Sequence, residues 1–247
     1  MAFVVIGLMD GGRQHPGGAY LCPMYNALLV LLCCSFALTA QQTVVDTVAA
    51  FPKRLEVGVG FGVMQHDIDL TPNRSTEVLQ GNNFGVALRY FDHKFVGFQA
   101  ELSYSEAGWQ EDFGEDFSEL YSRRFSYAEF LILTQFSFGQ GAVQPLIQAG
   151  PYLAAPLSDN ETLPAGFTPA ETIPPPYYGT DISFRLNYGL QIGAGLNVQL
   201  GALTLQVDGR YLIGFSDLIK GGETIALTSR RTGIGGHVAV FYALQNE

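Results

Sequence analysis

Seven charged side chains recur at the polar positions of alternating stretches: Glu56, Arg89, Glu101, Glu129, Arg185, Asp208 and Arg210. Their chain neighbours on either side are mostly apolar or aromatic. In extended backbone the charge and its neighbours therefore face opposite ways. Four acids and three bases on one shared face describe a proton or ion path, or a salt-bridged plug. Unpaired buried charges are costly, so a narrow interior favours the plug. A second group, Glu111, Asp112, Glu115, Asp116 and Glu119, lies in the run QEDFGEDFSEL. Carboxylates at that density can hold calcium, but the spacing is not that of an EF-hand loop, and a solvated loop is the expectation. Three histidines, His66, His93 and His237, could serve a serine hydrolase. No serine stands beside them in a nucleophile motif, so catalytic, metal and cofactor residues are expected to be none. His66 reads as a loop residue, His93 as a turn residue, and His237 as facing an interior with Glu56. Tyr177 and Tyr178 follow three prolines and read either as an adhesive tip or as rim packing. The glycines of Gly58-x-Gly60-x-Gly62 and Gly193-x-Gly195 cradle no phosphate, because no helix follows them.

The stretch Asp181–Ser216 shows how such residues are positioned. Phe184, Leu186, Tyr188, Leu190, Ile192, Ala194, Leu196, Val198 and Leu200 alternate with Arg185, Asn187, Gly189, Gln191, Gly193, Gly195, Asn197 and Gln199. A Gly201-Ala202 turn pairs Leu200 with Leu203, and the alternation resumes through Tyr211 and Ile213. Strands of about five or six residues are usual. This one is long enough to cross a bilayer at a tilt, for which about 9–11 residues suffice.

The same reading along the chain gives strands at 54–64, 82–91, 95–108, 123–138, 143–155, the 181–216 hairpin and 231–244. The fifth is the weakest, since Pro145 and Pro151 sit poorly in a paired strand. A turn at Asp92–Lys94 is expected to pair Tyr90 with Val96. Connections alternate between short turns and long polar stretches, Gln65–Gly81, Gln110–Leu120, Pro156–Thr180 and Asp217–Ser229. Aromatic residues fall towards both rims: Tyr104, Trp109, Phe125, Tyr127, Phe184, Tyr188, Tyr211 and Phe215 at the long-loop end, and Tyr90, Phe95, Phe98, Phe136, Phe138 and Tyr242 at the other. The expected fold is an all-β, eight-stranded, antiparallel up-and-down transmembrane β-barrel spanning 53–247.

Ala27–Leu38 is a short apolar run followed by Thr39-Ala40-Gln41-Gln42, the pattern of an export leader over residues 1–40. Met24 is a plausible alternative start. All three cysteines (Cys22, Cys33, Cys34) lie in this leader, and 41–52 reads as a periplasmic lead-in. The net charge of −10 argues against nucleic-acid partners.

Three blocks, Phe98–Trp109, Phe125–Leu157 and Ile192–Leu218, resemble the PorT-like outer-membrane β-barrel proteins of Bacteroidota. The family's Y-x-E-x-P appears as Tyr127-Ala128-Glu129-Phe130-Leu131, without the proline. The resemblance implies an outer-membrane barrel contacting lipid and lipopolysaccharide. It implies no agreed activity, though one member of the family is linked to a secretion system; an unidentified protein partner, met through the external loops or the periplasmic face, is the expectation. The acidic loop could bridge lipopolysaccharide through divalent cations. Two alternatives remain open at this point: a lipid A-modifying hydrolase, and a secreted lipocalin-like barrel with an apolar interior.

Overall fold

The computed structural model describes residues 53–72, 74–114, 117, 119–139, 141–180, 185–220 and 224–244. The leader with its cysteines, the lead-in, Glu115, Asp116 and Phe184 lie outside the described residues. Eight strands run in chain order: β1 (Arg54–Thr71), β2 (Thr76–Phe91), β3 (Val96–Glu111), β4 (Tyr121–Ser137), β5 (Val143–Thr162), β6 (Asn187–Leu200), β7 (Leu203–Asp217) and β8 (Thr228–Leu244). Each pairs antiparallel with the next, and β8 closes on β1. The expected barrel is present.

One row of pairs runs Leu55, Tyr90, Phe98, Thr134, Ala149, Ile192, Tyr211, Ile234 and returns to β1 at Gln65, a stagger of ten residues. In an eight-stranded barrel such a stagger goes with a strand tilt of roughly 35–45°, and the interior is just wide enough for side chains. The stagger also decides which inward residues share a level. Residues far apart in sequence, such as Glu101 and Arg210, meet across the lumen.

The strands run 14 to 20 residues, longer than a crossing needs. The first long loop expected at Gln65–Gly81 is therefore corrected: β1 continues to Thr71, β2 begins at Thr76, and only 72–75 joins them. The alternation continues there with its faces exchanged. Val57, Val59 and Phe61 point outward below, whereas Met64, Ile68 and Leu70 point inward and are buried above, with Asp69 exposed. A stretch whose outward side turns polar looks like a loop when the face assignment is held fixed.

The turn between β2 and β3 spans 92–95, so Tyr90 pairs with Phe98 and not with Val96. The register moves by two residues and the faces are unchanged. Pro145 and Pro151 sit in β5 with exposed, outward rings. The β4–β5 ladder lacks the pairs opposite Gly150 and Pro151, as expected where a ring replaces an N–H, and resumes in the same register. The Leu200–Leu203 pair is present across the expected turn, where Gly201 has φ of 69°.

Candidate functional site: the polar lumen and its aromatic cap

Inside the apolar band the lumen is organised around arginines, each held by a carboxylate from another strand. At the short-turn end, Arg89 Nε donates to Glu56 Oε2 at 2.6 Å, and its Nη1 donates to Asn197 at 3.1 Å and Gln206 at 2.9 Å. The Phe241 ring lies 3.9 Å from the same guanidinium. Gly58 is required here, because a Cβ would come within 2.6 Å of the Phe241 ring.

Midway up, Arg210 makes a two-pronged bond to Glu101 at 2.7 and 2.8 Å and donates to Asp208 at 2.6 Å. Planar guanidinium and carboxylate match in this geometry, which is why arginine rather than lysine suits it. His237 Nδ1 lies 2.8 Å from Arg210 and 3.5 Å from Asp208. Gln148 donates to Asp208 at 3.1 Å and Gln99 to Glu101 at 2.5 Å. Higher still, Arg231 donates to Glu129 at 2.7 Å, with the rings of Tyr127 and Tyr152 at 4.9 and 5.4 Å. His66 is buried at this level.

Above the band the interior changes character. Trp109, Tyr121, Phe125, Tyr177 and Tyr178 are buried together, with Phe113 and Phe167 against them. Phe113 and Phe167 stack at 4.6 Å, and Tyr178 meets Phe113 edge-on at 5.2 Å. Glu111 lies beneath this cluster and accepts from Trp109 Nε1 at 2.8 Å, Tyr177 at 2.7 Å and Tyr178 at 2.6 Å. Burial pushes both loop phenols well above the ordinary tyrosine range, and Glu111 adds to it, chiefly through its charge at Tyr177 and through its hydrogen bond at Tyr178. Arg123 ties the β5–β6 connection down. It pairs with Asp159 and Glu161 and donates to the carbonyls of Tyr177 at 3.0 Å and Thr180 at 2.8 Å.

Of the seven expected lumen charges, Glu56, Arg89, Glu101, Glu129, Asp208 and Arg210 are buried in the barrel. Arg185 is not: it lies before β6 begins and is exposed, since the alternation in sequence starts earlier than the ladder. Arg123 and Arg231, the first residues of the expected strands 123–138 and 231–244, stand at inward parity there and are buried, although the sequence reading does not single them out. Glu111 is not a loop residue but the buried last residue of β3, while Asp112 and Glu119 are exposed. His66 is in β1, not in a loop. His237 faces Arg210 and Asp208 rather than Glu56, because Glu56 pairs with Ala243 at the far end of β8. Trp109, Phe125 and Tyr127 point inward and do not belong to an outer aromatic belt, whereas Tyr188, Tyr211 and Phe215 are exposed. Tyr177 and Tyr178 are packing residues, not a tip.

His66 and His237 are buried inside the barrel, and His93 stands exposed on the β2–β3 turn. Ser103, Glu101 and His237 border a cavity of about 10 Å³, room for about one water. Among the described residues no cluster of His, Cys, Asp and Glu could hold a metal ion.

An apolar outer band around a charged, filled lumen is the inverse of a lipocalin, and it defines a membrane-spanning barrel. The chain belongs to the outer membrane protein beta-barrel domain family, whose profile matches residues 39–220. It is an outer-membrane β-barrel protein. Among solved structures it is similar to the outer membrane protein OprG from Pseudomonas aeruginosa, at 13% identity over 78% of this chain and 96% of that one, with a TM-score of 0.50. Neisserial surface protein A is similar at 14% identity over 74% and 96%, with a TM-score of 0.41. At such identities the likeness is one of fold. No curated protein matches in sequence.

Proposed function

We propose that this barrel is a sealed, non-enzymatic structural or partner-binding protein of the outer membrane, exported by its leader and acting through its loop end. The observation that carries this reading is the plug. Each lumen arginine is paired with a carboxylate, and the aromatic cluster closes the lumen above them. A closed interior leaves the loops as the working surface. The β5–β6 connection supports that role: Pro176, Tyr177 and Tyr178 are buried as an anchor, and the preceding 170–175 is exposed, with Ile173 fully so. An anchored, proline-stiffened segment loses little entropy when a partner binds. The PorT-like resemblance makes a secretion-system accessory the specific form of this reading.

Two measurements test it. Reconstituted in a planar bilayer, the folded protein is expected to show no unitary conductance; stable openings would overturn the sealed reading. A photocrosslinker at Ile173 is expected to capture an envelope partner that the same label at Lys94, in a short turn, does not. Equal capture at both positions removes the loop-end assignment.

A further inference from the structure

Charge at the short-turn end of the barrel is gathered on one arc. Among the described residues, the levels from the Glu56–Arg89 pair outward to that rim carry Lys53, Arg54, Glu56, Arg89, Asp92 and Lys94. These are four cations against two anions, all from the start of β1, the end of β2 and the turn into β3. The other two turns at this end, 138–142 and 201–202, contain no charged residue. The protein as a whole is acidic by 10, so the cationic arc runs against its composition. Glu56 is shared between Arg54 and Arg89, and this group at the lumen mouth therefore keeps one positive charge. On the outer side, Asp92 accepts from the Tyr90 hydroxyl at 3.1 Å and pairs with Lys53 at 3.2 Å. The Lys94 ammonium lies 5.5 Å from the centre of the Phe95 ring and has no carboxylate partner among the described residues.

Next to this arc the outer wall is apolar. Leu55, Tyr90 and Phe98 form one row across β1, β2 and β3, and Leu88, Phe95 and Phe98 are exposed. A lysine whose stem leaves an outward aromatic ring places its charge at the membrane boundary. In an outer-membrane barrel the short turns face the periplasm. This rim therefore meets the phospholipid leaflet, and the lipopolysaccharide expected at the loop end lies in the other one. We propose that the arc binds an anionic phospholipid of the periplasmic leaflet, its phosphodiester on Lys94 beside Lys53 and an acyl chain along Tyr90 and Phe98. The surplus positive charge of rim and mouth selects a headgroup without a cation of its own. Asp92 does not reverse that choice, because its charge is already matched by Lys53. The aromatic row holds the chain whatever the headgroup, through apolar contact.

The inference rests on the membrane reading above, and its test separates the two. The folded protein in detergent is exposed to equal amounts of phosphatidylglycerol, phosphatidylethanolamine and phosphatidylcholine with identical chains, and bound lipid is read by native mass spectrometry. The wild type is expected to retain phosphatidylglycerol about fivefold over either competitor, the scale of one basic side chain near an anionic headgroup. K94Q is expected to remove most of that preference. D92N is expected to increase it, since the acid beside Lys53 is gone. F98A is expected to lower retention of all three lipids alike. R124Q removes one cation at the opposite rim and is expected to leave the preference unchanged. Glycerophosphoglycerol, the same headgroup without chains, is expected not to displace the bound lipid. Equal retention of the three lipids by the wild type, or an equal loss of preference in K94Q and R124Q, overturns the site; displacement by the free headgroup overturns the lipid assignment. Heat-modifiable mobility on a gel reports folding throughout. A heat-modifiable barrel lacking selectivity sinks this inference alone and leaves the membrane assignment standing.

Discussion

The two halves of the barrel interior are built on opposite rules, although the same strands run through both. In the membrane band the outside is apolar and the inside holds Arg89 and Arg210 with their carboxylates, and the Arg231–Glu129 pair spans its upper edge, Arg231 standing opposite Ile68. Towards the loops the outside carries Gln65, Asp69 and Arg124, and the inside is Ile68, Leu70, Trp109, Phe125 and the tyrosine pair. The difference follows from the solvent. Lipid offers no hydrogen-bond partners, so polar groups within the band turn inward and pair with one another. Once the strands emerge into water, apolar burial is again the driving force and the barrel becomes an ordinary protein core. Each β1 residue obeys its own surroundings, and the face switch near Val63–Met64 marks where lipid gives way to water.

Breaking one partner of a lumen pair should cost most. R231M leaves Glu129 charged and unpaired, and urea unfolding in lipid vesicles should show a loss of about 3–5 kcal/mol. The double variant R231M/E129M should recover most of it, because no lone charge remains. In the other half, W109A should cost about 3–5 kcal/mol by opening a cavity in the aromatic core, with no comparable rescue from a second change.

The switch itself is tested by placing one charge on either side of it. V59R puts a guanidinium against mid-bilayer lipid and should cost about 2–4 kcal/mol. Q65R, three outward positions further on, should stay within about 0.5 kcal/mol. Equal costs would mean that the water boundary lies elsewhere.

The smallest effect concerns the cap. Y178F removes one bond to a buried carboxylate, worth about 1.5–3 kcal/mol, and should make the 163–186 connection cleavable by protease while the band stays resistant. Both phenols are raised in the folded state, so the contact is intact below the ordinary tyrosine range near pH 10 and is lost as the pH climbs towards their higher folded values. Absorbance at 295 nm should therefore show these two tyrosines ionising late, and only as the cap opens.

Much of the band was legible because its signal is local. Glu56 sits between Leu55 and Val57, and lipid on one side of a strand imprints period two whatever the distant partners are. The same parity, carried further, would have found Arg123 and Arg231 and turned Trp109, Phe125 and Tyr127 inward. It failed where a face assignment was assumed to hold along a whole strand, as at Gln65–Gly81, and where alternation ran past the end of the ladder, as at Arg185. The buried Glu111 was hidden for another reason: its neighbours in sequence are acidic loop residues, and only the tyrosines brought over it by the β5–β6 connection distinguish it from them.

The sequence by itself determined the number of strands, their short turns and which side of each faces lipid in the band. These depend on a residue's immediate neighbours and the medium outside. The tertiary structure alone decided that Arg210 holds Glu101 and Asp208, that His237 joins them and not Glu56, and that Tyr177 and Tyr178 close the barrel. Those outcomes depend on the ten-residue stagger and on where a long connection lands. Both are properties of the closed ring, and no single strand contains them.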